Sequence, residues 1–225
     1  LRGEIDAVSI GAGDSLMYVV KDSNAVVSSK FNGDAVKTLW SGPFTAWRTG
    51  RLGSGTLVFT KPSATLPGYA YSLASGGLTK LLGPLNGLIA TANPAGTYLI
   101  YSYVSGNEEH LFAKEVGKST SAEFSPSTLA DKCAGSVKEK GIFFCGAPSG
   151  GVSGAEPDGW YQGKTHFSDS VWRFDALTQS ATLLADPEEG FGVSLDVSLP
   201  QLSPDEKYFV FVNKSDLSLW ALSLR

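Results

Sequence analysis

The chain has 225 residues, of which 42% are hydrophobic and 18% are charged, and its 26 glycines and 11 prolines are scattered along its length. This composition is typical of a single all-β domain with many short strands and tight turns. The formal net charge of −4, without a lysine and arginine cluster, excludes a nucleic-acid-binding surface, and no apolar run reaches the ~20 residues of a membrane span.

Bursts of apolar and aromatic residues recur five times along the chain. They begin at Leu16, Leu57, Tyr98, Ile142 and Tyr208, so they are separated by 41, 41, 44 and 66 residues. Three of these spacings match the roughly 40–45-residue period of a β-propeller blade, and the fourth leaves room for an insertion of about 20–25 residues. Turns rich in Gly, Pro, Asn and Asp precede the bursts, and no window sustains helical periodicity.

The repeat predicts an all-β fold, a β-propeller of about five four-stranded antiparallel blades in one domain spanning residues 1–225. The expected blades cover about 5–43, 44–84, 85–126, 127–188 with an insertion at 146–169, and 189–225 without an outer strand. We expect Trp40, Trp172 and Trp220 to pack between blades.

The sequence does not decide how the ring closes. The absence of a methionine or signal pattern at the start indicates a mature or excised segment. Leu1 to Ile5 offer one short strand to complete the last blade. Alternatively, the chain is the C-terminal part of a larger propeller, or a second copy pairs with the open blade edge.

The two cysteines flank the predicted turn of the fourth hairpin at equal distance. Cys133 and Cys145 are centred on Glu139, so antiparallel pairing places them opposite each other, at a separation that suits a disulfide. The alternative is a pair of buried thiols. We expect no metal site at this cysteine pair, because neither His110 nor His166 lies at ligand spacing from a cysteine.

The insertion at 146–169 is the strongest candidate for a functional surface, since long loops on rigid scaffolds collect binding residues. It is expected on one face with the loops at 42–44, 61–68, 105–109 and 186–191, an acidic and aromatic face suited to a basic peptide, a glycan or Ca²⁺. The Trp160–Tyr161 pair either stacks on a sugar or grips a partner, or folds back over the blade edge to cap the core. Candidate contacts are Asp158, Trp160, Tyr161, Lys164 and His166, with Phe44 and Trp47 at the start of the second unit.

The last unit resembles a known repeat. Ser203-Pro204-Asp205-Glu206, the aromatic strand Tyr208 to Phe211 and the following Leu219-Trp220-Ala221-Leu222 are similar to the Ser-Pro-Asp-Gly repeat of TolB-type, WD-repeat-like bacterial β-propellers. Residues 158–187 also resemble the C-terminal part of uncharacterised envelope propellers. The resemblance implies the fold and an extracytoplasmic setting, in the periplasm or cell envelope or after secretion, but it implies no reaction.

Catalysis finds little support in the sequence. A propeller glycosidase needs paired carboxylates near the central channel, for which Asp6, Asp131 and Asp196 compete. A serine hydrolase needs a positioned histidine and a nucleophile elbow, which is absent. We therefore expect no catalytic residues and no cofactor, and a protein partner engaged through the loop face or the open blade edge. The alternative is a lectin-like or glycan-processing propeller that uses the insertion.

Overall fold

Turns with glycine, asparagine or aspartate at their tips divide the chain into short strands that pair with their sequence neighbours. The computed structural model describes residues 4–21, 23–43, 46–74, 77–152 and 156–224. Within these ranges the strands form five consecutive antiparallel blades.

The strands are as follows. Blade 1 consists of β1 (Ile5–Ile10), β2 (Ser15–Val20), β3 (Ala25–Lys30) and β4 (Lys37–Ser41). Blade 2 consists of β5 (Trp47–Leu52), β6 (Gly55–Thr60), β7 (Pro67–Ala74) and the first part of β8 (Gly77–Ala92). Blade 3 takes the rest of β8 with β9 (Tyr98–Ser105), β10 (Glu108–Glu115) and β11 (Ala122–Phe124). Blade 4 consists of β12 (Cys133–Gly135), β13 (Ile142–Pro148), β14 (Asp169–Asp175) and β15 (Ser180–Ala185), and blade 5 of β16 (Val197–Leu202), β17 (Tyr208–Asn213) and β18 (Leu219–Ser223).

The predicted all-β propeller of about five blades is confirmed, and three short helical segments join the strands. A 3₁₀ turn (Ala130–Lys132) precedes β12, α1 (Asp158–Tyr161) lies in the insertion, and α2 (Pro187–Phe191) follows β15. Each is too short to show helical periodicity in the sequence. In the part of the chain that the structure describes, none of the helices has the length and apolar character needed to cross a bilayer.

Blades 2 and 3 are joined into one seven-stranded sheet by β8, which the repeat does not predict. Ala70 of β7 pairs with Leu82 near the start of β8, whereas Ser102 of β9 pairs with Ile89 near its end. Between these pairings Gly83 and Gly87 have φ values of +106° and +65°, conformations that glycine adopts without strain. The two glycines therefore let a continuous strand turn from the outside of one blade to the inside of the next.

Apolar side chains between neighbouring blades form the core. Val19, Val26, Trp47 and Val58 fill the space between blades 1 and 2. A larger cluster joins blades 2, 3 and 4, and a third, which includes Phe144, joins blades 4 and 5. We expected Trp220 to pack between blades, but this was wrong: its side chain on β18 is 37% exposed.

The predicted disulfide is confirmed. Cys133 on β12 pairs with Cys145 on β13, and their sulfur atoms are bonded. Both cysteines are buried against the core of blades 2 to 4, which excludes the alternative of two free thiols.

The end blades carry exposed apolar side chains. Val8 and Ile10 on β1 and Leu199 on β16 are each more than 60% exposed. Among the described residues, the packing between β16 and β1 is less extensive than the packing of β1 on β5 or of β12 on β16. Blade 5 has three strands in the same part of the chain, so the outer edge of β18 has no strand beside it.

Candidate binding face

The connections between the second and third strands of each blade, together with those between consecutive blades, form one face of the propeller, which we call the loop face. Its centre is the insertion, defined here as residues 149–168 between β13 and β14. The main-chain N–H of Ala64 in blade 2 donates to Asp158 Oδ2 at 2.6 Å. Glu109 N in blade 3 donates to the carbonyl of Val152 at 3.1 Å. The insertion thus starts in blade 4 and reaches the loops of blades 2 and 3.

One polar cluster anchors the insertion to the inner strand of blade 2. Arg48 on β5 donates from Nη1 to Asp131 Oδ2 and to the Tyr161 hydroxyl, both at 2.7 Å. The Tyr161 hydroxyl donates in turn to Asp131 Oδ2 at 2.6 Å. Burial raises the pKa of Tyr161 well above its ordinary value, and the Asp131 carboxylate raises it further, so the phenol is a neutral donor. The guanidinium also lies 4.1 Å from the centroid of the Tyr161 ring.

A second cluster anchors the insertion to blade 5. Trp160 Nε1 donates to both carboxylate oxygens of Asp196, at 2.9 and 3.1 Å. Lys214, in the turn between β17 and β18, donates to the Trp160 carbonyl at 2.5 Å. At the start of α1, the Glu156 side chain accepts the Trp160 N–H at 2.6 Å. Both polar ends of this tryptophan are therefore engaged by the protein itself.

Lys132 lies beneath Trp160 and is fully buried together with two aspartates. Its Nζ is 2.5 Å from Asp169 Oδ2 and 2.7 Å from Asp196 Oδ1. Phe167 adds an aromatic face 4.6 Å from the ammonium. Asp169 also accepts the main-chain N–H of Val197 at 2.7 Å, whereas its Oδ1 has no hydrogen-bond partner among the described residues. Burial raises the pKa of Asp169, and the lysine opposes that rise.

These clusters settle where the candidate channel carboxylates lie. Asp131 and Asp196 both contact the insertion, whereas Asp6 lies on β1 with its side chain exposed. Asp131 and Asp196 are occupied by arginine, lysine, tyrosine and tryptophan donors. In the described ranges, no group of three or more His, Cys, Asp and Glu side chains is placed to hold a metal ion.

The sequence-predicted contact residues divide into exposed and internal ones. Lys164 is exposed, and His166 is 51% exposed with Nδ1 at 3.6 Å from Asp196 Oδ2. Asp158 and Tyr161 are half-buried and bonded to blades 2 and 4. Trp160 is 4% exposed, because its ring fills the centre of the loop face between Lys132 and Lys214.

Trp47, which we expected to contact a ligand or partner at the start of the second unit, lies in the core instead. It is 1% exposed and packs edge-on against Trp40, with ring centroids 5.1 Å apart, in the core between blades 1 and 2. Phe44, the other residue expected there, lies outside the described residues.

A groove on the loop face was not found by sequence reasoning. It has a volume of about 610 Å³ and is lined by residues 107–109, 125–127 and 149–152 and by Phe167. The first segment belongs to blade 3, the second leads into blade 4, and the third opens the insertion. The predicted face did contain 105–109 and the insertion, but the repeat gives no signal for 125–127, which lie in the connection after β11.

Comparison with known proteins supports the fold. No protein-family model and no curated protein sequence matches the chain. Among solved structures, TolB from Acinetobacter baumannii superposes over 99% of this chain with a TM-score of 0.67 and 14% identity. A structure described as a nidogen/laminin complex superposes over 98% of this chain and 76% of its own, with a TM-score of 0.63 and 7% identity.

The chain spans about half the length of the TolB chain, 52%. A putative TolB from Agrobacterium tumefaciens is similar over 84% of this chain and 62% of its own, with a TM-score of 0.56 and 14% identity. At these identities the likeness concerns the fold alone. The chain is thus a β-propeller with the TolB-like fold.

Proposed function

We propose that this propeller is a non-catalytic binding or scaffolding protein that engages a protein partner through its loop face. The observation that carries the proposal is the insertion, which is bonded to blades 2, 3 and 5 and leaves Lys164 and His166 exposed. A long loop held in this way presents its exposed groups at little entropic cost, which favours binding.

The same contacts argue against a reaction centre at the mouth of the channel. Asp131 is paired with Arg48 and Tyr161, and Asp196 with Lys132 and Trp160. A glycosidase requires one carboxyl to protonate the leaving group and another to act as base or nucleophile. Carboxylates already bonded to an arginine or a lysine are poorly suited to either role.

We also propose an extracytoplasmic setting. The Cys133–Cys145 disulfide is intact and buried, and such bonds persist in oxidising compartments. The TolB-like fold agrees with this setting. The outer edge of β18 is a second surface for a protein partner or a second copy; Leu219 on this strand and Leu217 in the preceding turn are each more than 70% exposed.

The lectin-like alternative loses its main residue. Sugar stacking needs an aromatic face open to solvent, and Trp160 is 4% exposed with its indole N–H bonded to Asp196. Tyr161 is held against Arg48 in the same way.

Site-specific photo-crosslinking tests the proposal in cells that express the protein naturally. A photoreactive phenylalanine analogue replaces Lys164 on the loop face, Leu219 on the β18 edge or Lys118 in the exposed turn after β10 on the opposite side. We expect a discrete protein adduct from position 164 and none from the matched lysine position 118. Adducts of equal yield at 164 and 118, or none at 164 and 219, would contradict a partner-binding face.

A further inference from the structure

Glu109 is a buried acid in the wall of the groove and is the second residue of β10. It is 2% exposed, and neither of its carboxylate oxygens has a hydrogen-bond partner of good geometry among the described residues. A buried ionised carboxylate without a partner is strongly unfavourable, so such groups stay neutral or bind a cation. The Glu109 carboxyl therefore has unmet bonding capacity beside the groove.

Among the described residues that line the groove, none is a cation that could neutralise Glu109. Its neighbours in the groove are Asn, Ser, Gly, Pro, Val and Phe side chains and the exposed acid Glu108, with no lysine, arginine or histidine among the lining residues. Lys132, whose ammonium lies 4.6 Å from the centroid of the Phe167 ring, is already bonded to Asp169 and Asp196. The groove is thus lined by acidic side chains and by no basic side chain that could neutralise them.

Two further groups act on the Glu109 carboxyl. Burial raises its pKa to about 8, the Ser102 hydroxyl on β9 opposes the rise, and the Glu156 carboxylate at the start of α1 adds to it. Glu156 is buried as well, and one of its carboxylate oxygens accepts the Trp160 N–H. Of these two glutamates, Glu109 is the one whose carboxylate oxygens both lack a hydrogen-bond partner of good geometry among the described residues.

We propose that the groove binds the cationic end of a lysine or arginine side chain from the protein partner, with Glu109 as its counter-ion. This inference rests on the proposed function and names the partner's chemistry. The three polar segments around the groove offer main-chain groups to the partner, and Phe167 offers an apolar wall to the methylene stem. Binding requires the carboxylate form, so Glu109 releases its proton to solvent as the cation enters.

The experiment uses small cations as probes of the folded full chain. n-Butylammonium represents lysine, butylguanidinium represents arginine, and n-butanol is the neutral control of similar length. Titrations followed by NMR of carboxyl-labelled glutamate report both the dissociation constant and the pKa of Glu109. We expect affinity for the cations to rise about tenfold per pH unit between pH 6 and 8 and then to level off.

Two variants separate the proposed role from a general acidic surface. Glu109→Gln should abolish both the binding and its pH dependence, whereas Glu108→Gln, which removes the adjacent exposed carboxylate, should keep the pH dependence. Butanol binding as tightly as butylammonium, unchanged binding by Glu109→Gln, or an unshifted Glu109 pKa at saturating cation would each overturn the inference. A partner that cross-links at position 164 but tolerates Glu109→Gln refutes only the inference, and cation binding without any cross-linked partner refutes only the proposed function.

Discussion

Lys132 carries a charge in an environment without access to water. Its ammonium is fully buried, and the two carboxylates beside it are fully buried as well. Burial of three charges is tolerable only because each is bonded to the others, to Trp160 or to a main-chain N–H. The group joins the start of blade 4 to β14 and to the residue before β16.

Lys132→Met should therefore destabilise the protein strongly, by about 3–5 kcal/mol, because it leaves Asp169 and Asp196 buried without a cation. Urea unfolding followed by tryptophan fluorescence measures the change. Lys140→Met removes an exposed lysine 3.5 Å from Glu115 and should leave the midpoint nearly unchanged. Equal effects of the two substitutions on the unfolding midpoint would show that the buried Lys132 contributes no more to stability than the exposed Lys140.

This residue could not be singled out from the sequence. Asp131-Lys132 directly precedes a predicted strand, a pattern typical of a solvated turn. The partners Asp169 and Asp196 lie far along the chain, and their approach depends on the path of the insertion. The same holds for Glu109, whose alternation with His110 and Leu111 indicates an inward position but not the groove beside it.

At the scale of elements, blades 4 and 5 approach each other closely at Gly146 on β13. A Cβ atom at this position would lie 2.4 Å from Val197 Cγ2 and 2.5 Å from its Cβ on β16. Both residues are buried, so neither strand can yield without opening the interface.

Gly146→Ala should consequently cost about 1–3 kcal/mol of unfolding free energy through overpacking. The double variant with Val197→Ala should recover part of that loss, since it removes the atoms in conflict. Gly150→Ala is the matched control, because nothing lies within 4 Å of the added methyl group. The prediction fails if Gly146→Ala and Gly150→Ala unfold at the same denaturant concentration.

The disulfide stabilises the β12–β13 hairpin, in which β12 has three residues. Replacing both Cys133 and Cys145 by alanine should lower the unfolding free energy by about 2–4 kcal/mol, mainly because the unfolded chain regains freedom. Calorimetry of the variant and of the oxidised parent gives the difference. Alkylation of the native parent followed by intact-mass measurement should show no labelled thiol, and double labelling would contradict the bond.

The blades and the register of their strands can be predicted from the sequence, whereas the connections between blades cannot. The 41- and 44-residue spacings predict the blades because every blade repeats the same hairpins and core strands. The midpoint at Glu139 predicts the disulfide because antiparallel register is symmetric about a turn. The fusion of blades 2 and 3 through β8 depends on Gly83 and Gly87, which a repeat comparison treats as an ordinary linker.

For the whole molecule, we propose that the five blades form one domain whose stability falls as the pH rises. Glu109 has a folded-state pKa of about 8, above its unfolded value, so the folded state binds a proton that the unfolded state has released. Stability should decline by up to about 1.4 kcal/mol per pH unit between pH 5 and 8 and then level off.

Glu109→Gln keeps the neutral form at every pH, so the variant should be more stable than the parent at pH 8 and should lose most of the decline. Asp169, whose pKa burial also raises, contributes a decline of the same sign. Urea titrations at pH 5, 6, 7 and 8 measure both proteins alongside Glu108→Gln, for which the parent's slope should persist. A parent whose stability is constant across this range would refute the assignment.

The shared strand β8 also determines how the chain responds to force. Blades 1, 4 and 5 are separate sheets, whereas residues 47–124 form a single sheet of seven strands. If the molecule is stretched between its ends in a single-molecule trap, blades 2 and 3 should yield together, releasing roughly 250 Å of chain in one event. A separate sheet should release about half that length, so the force record should contain one long step among shorter ones.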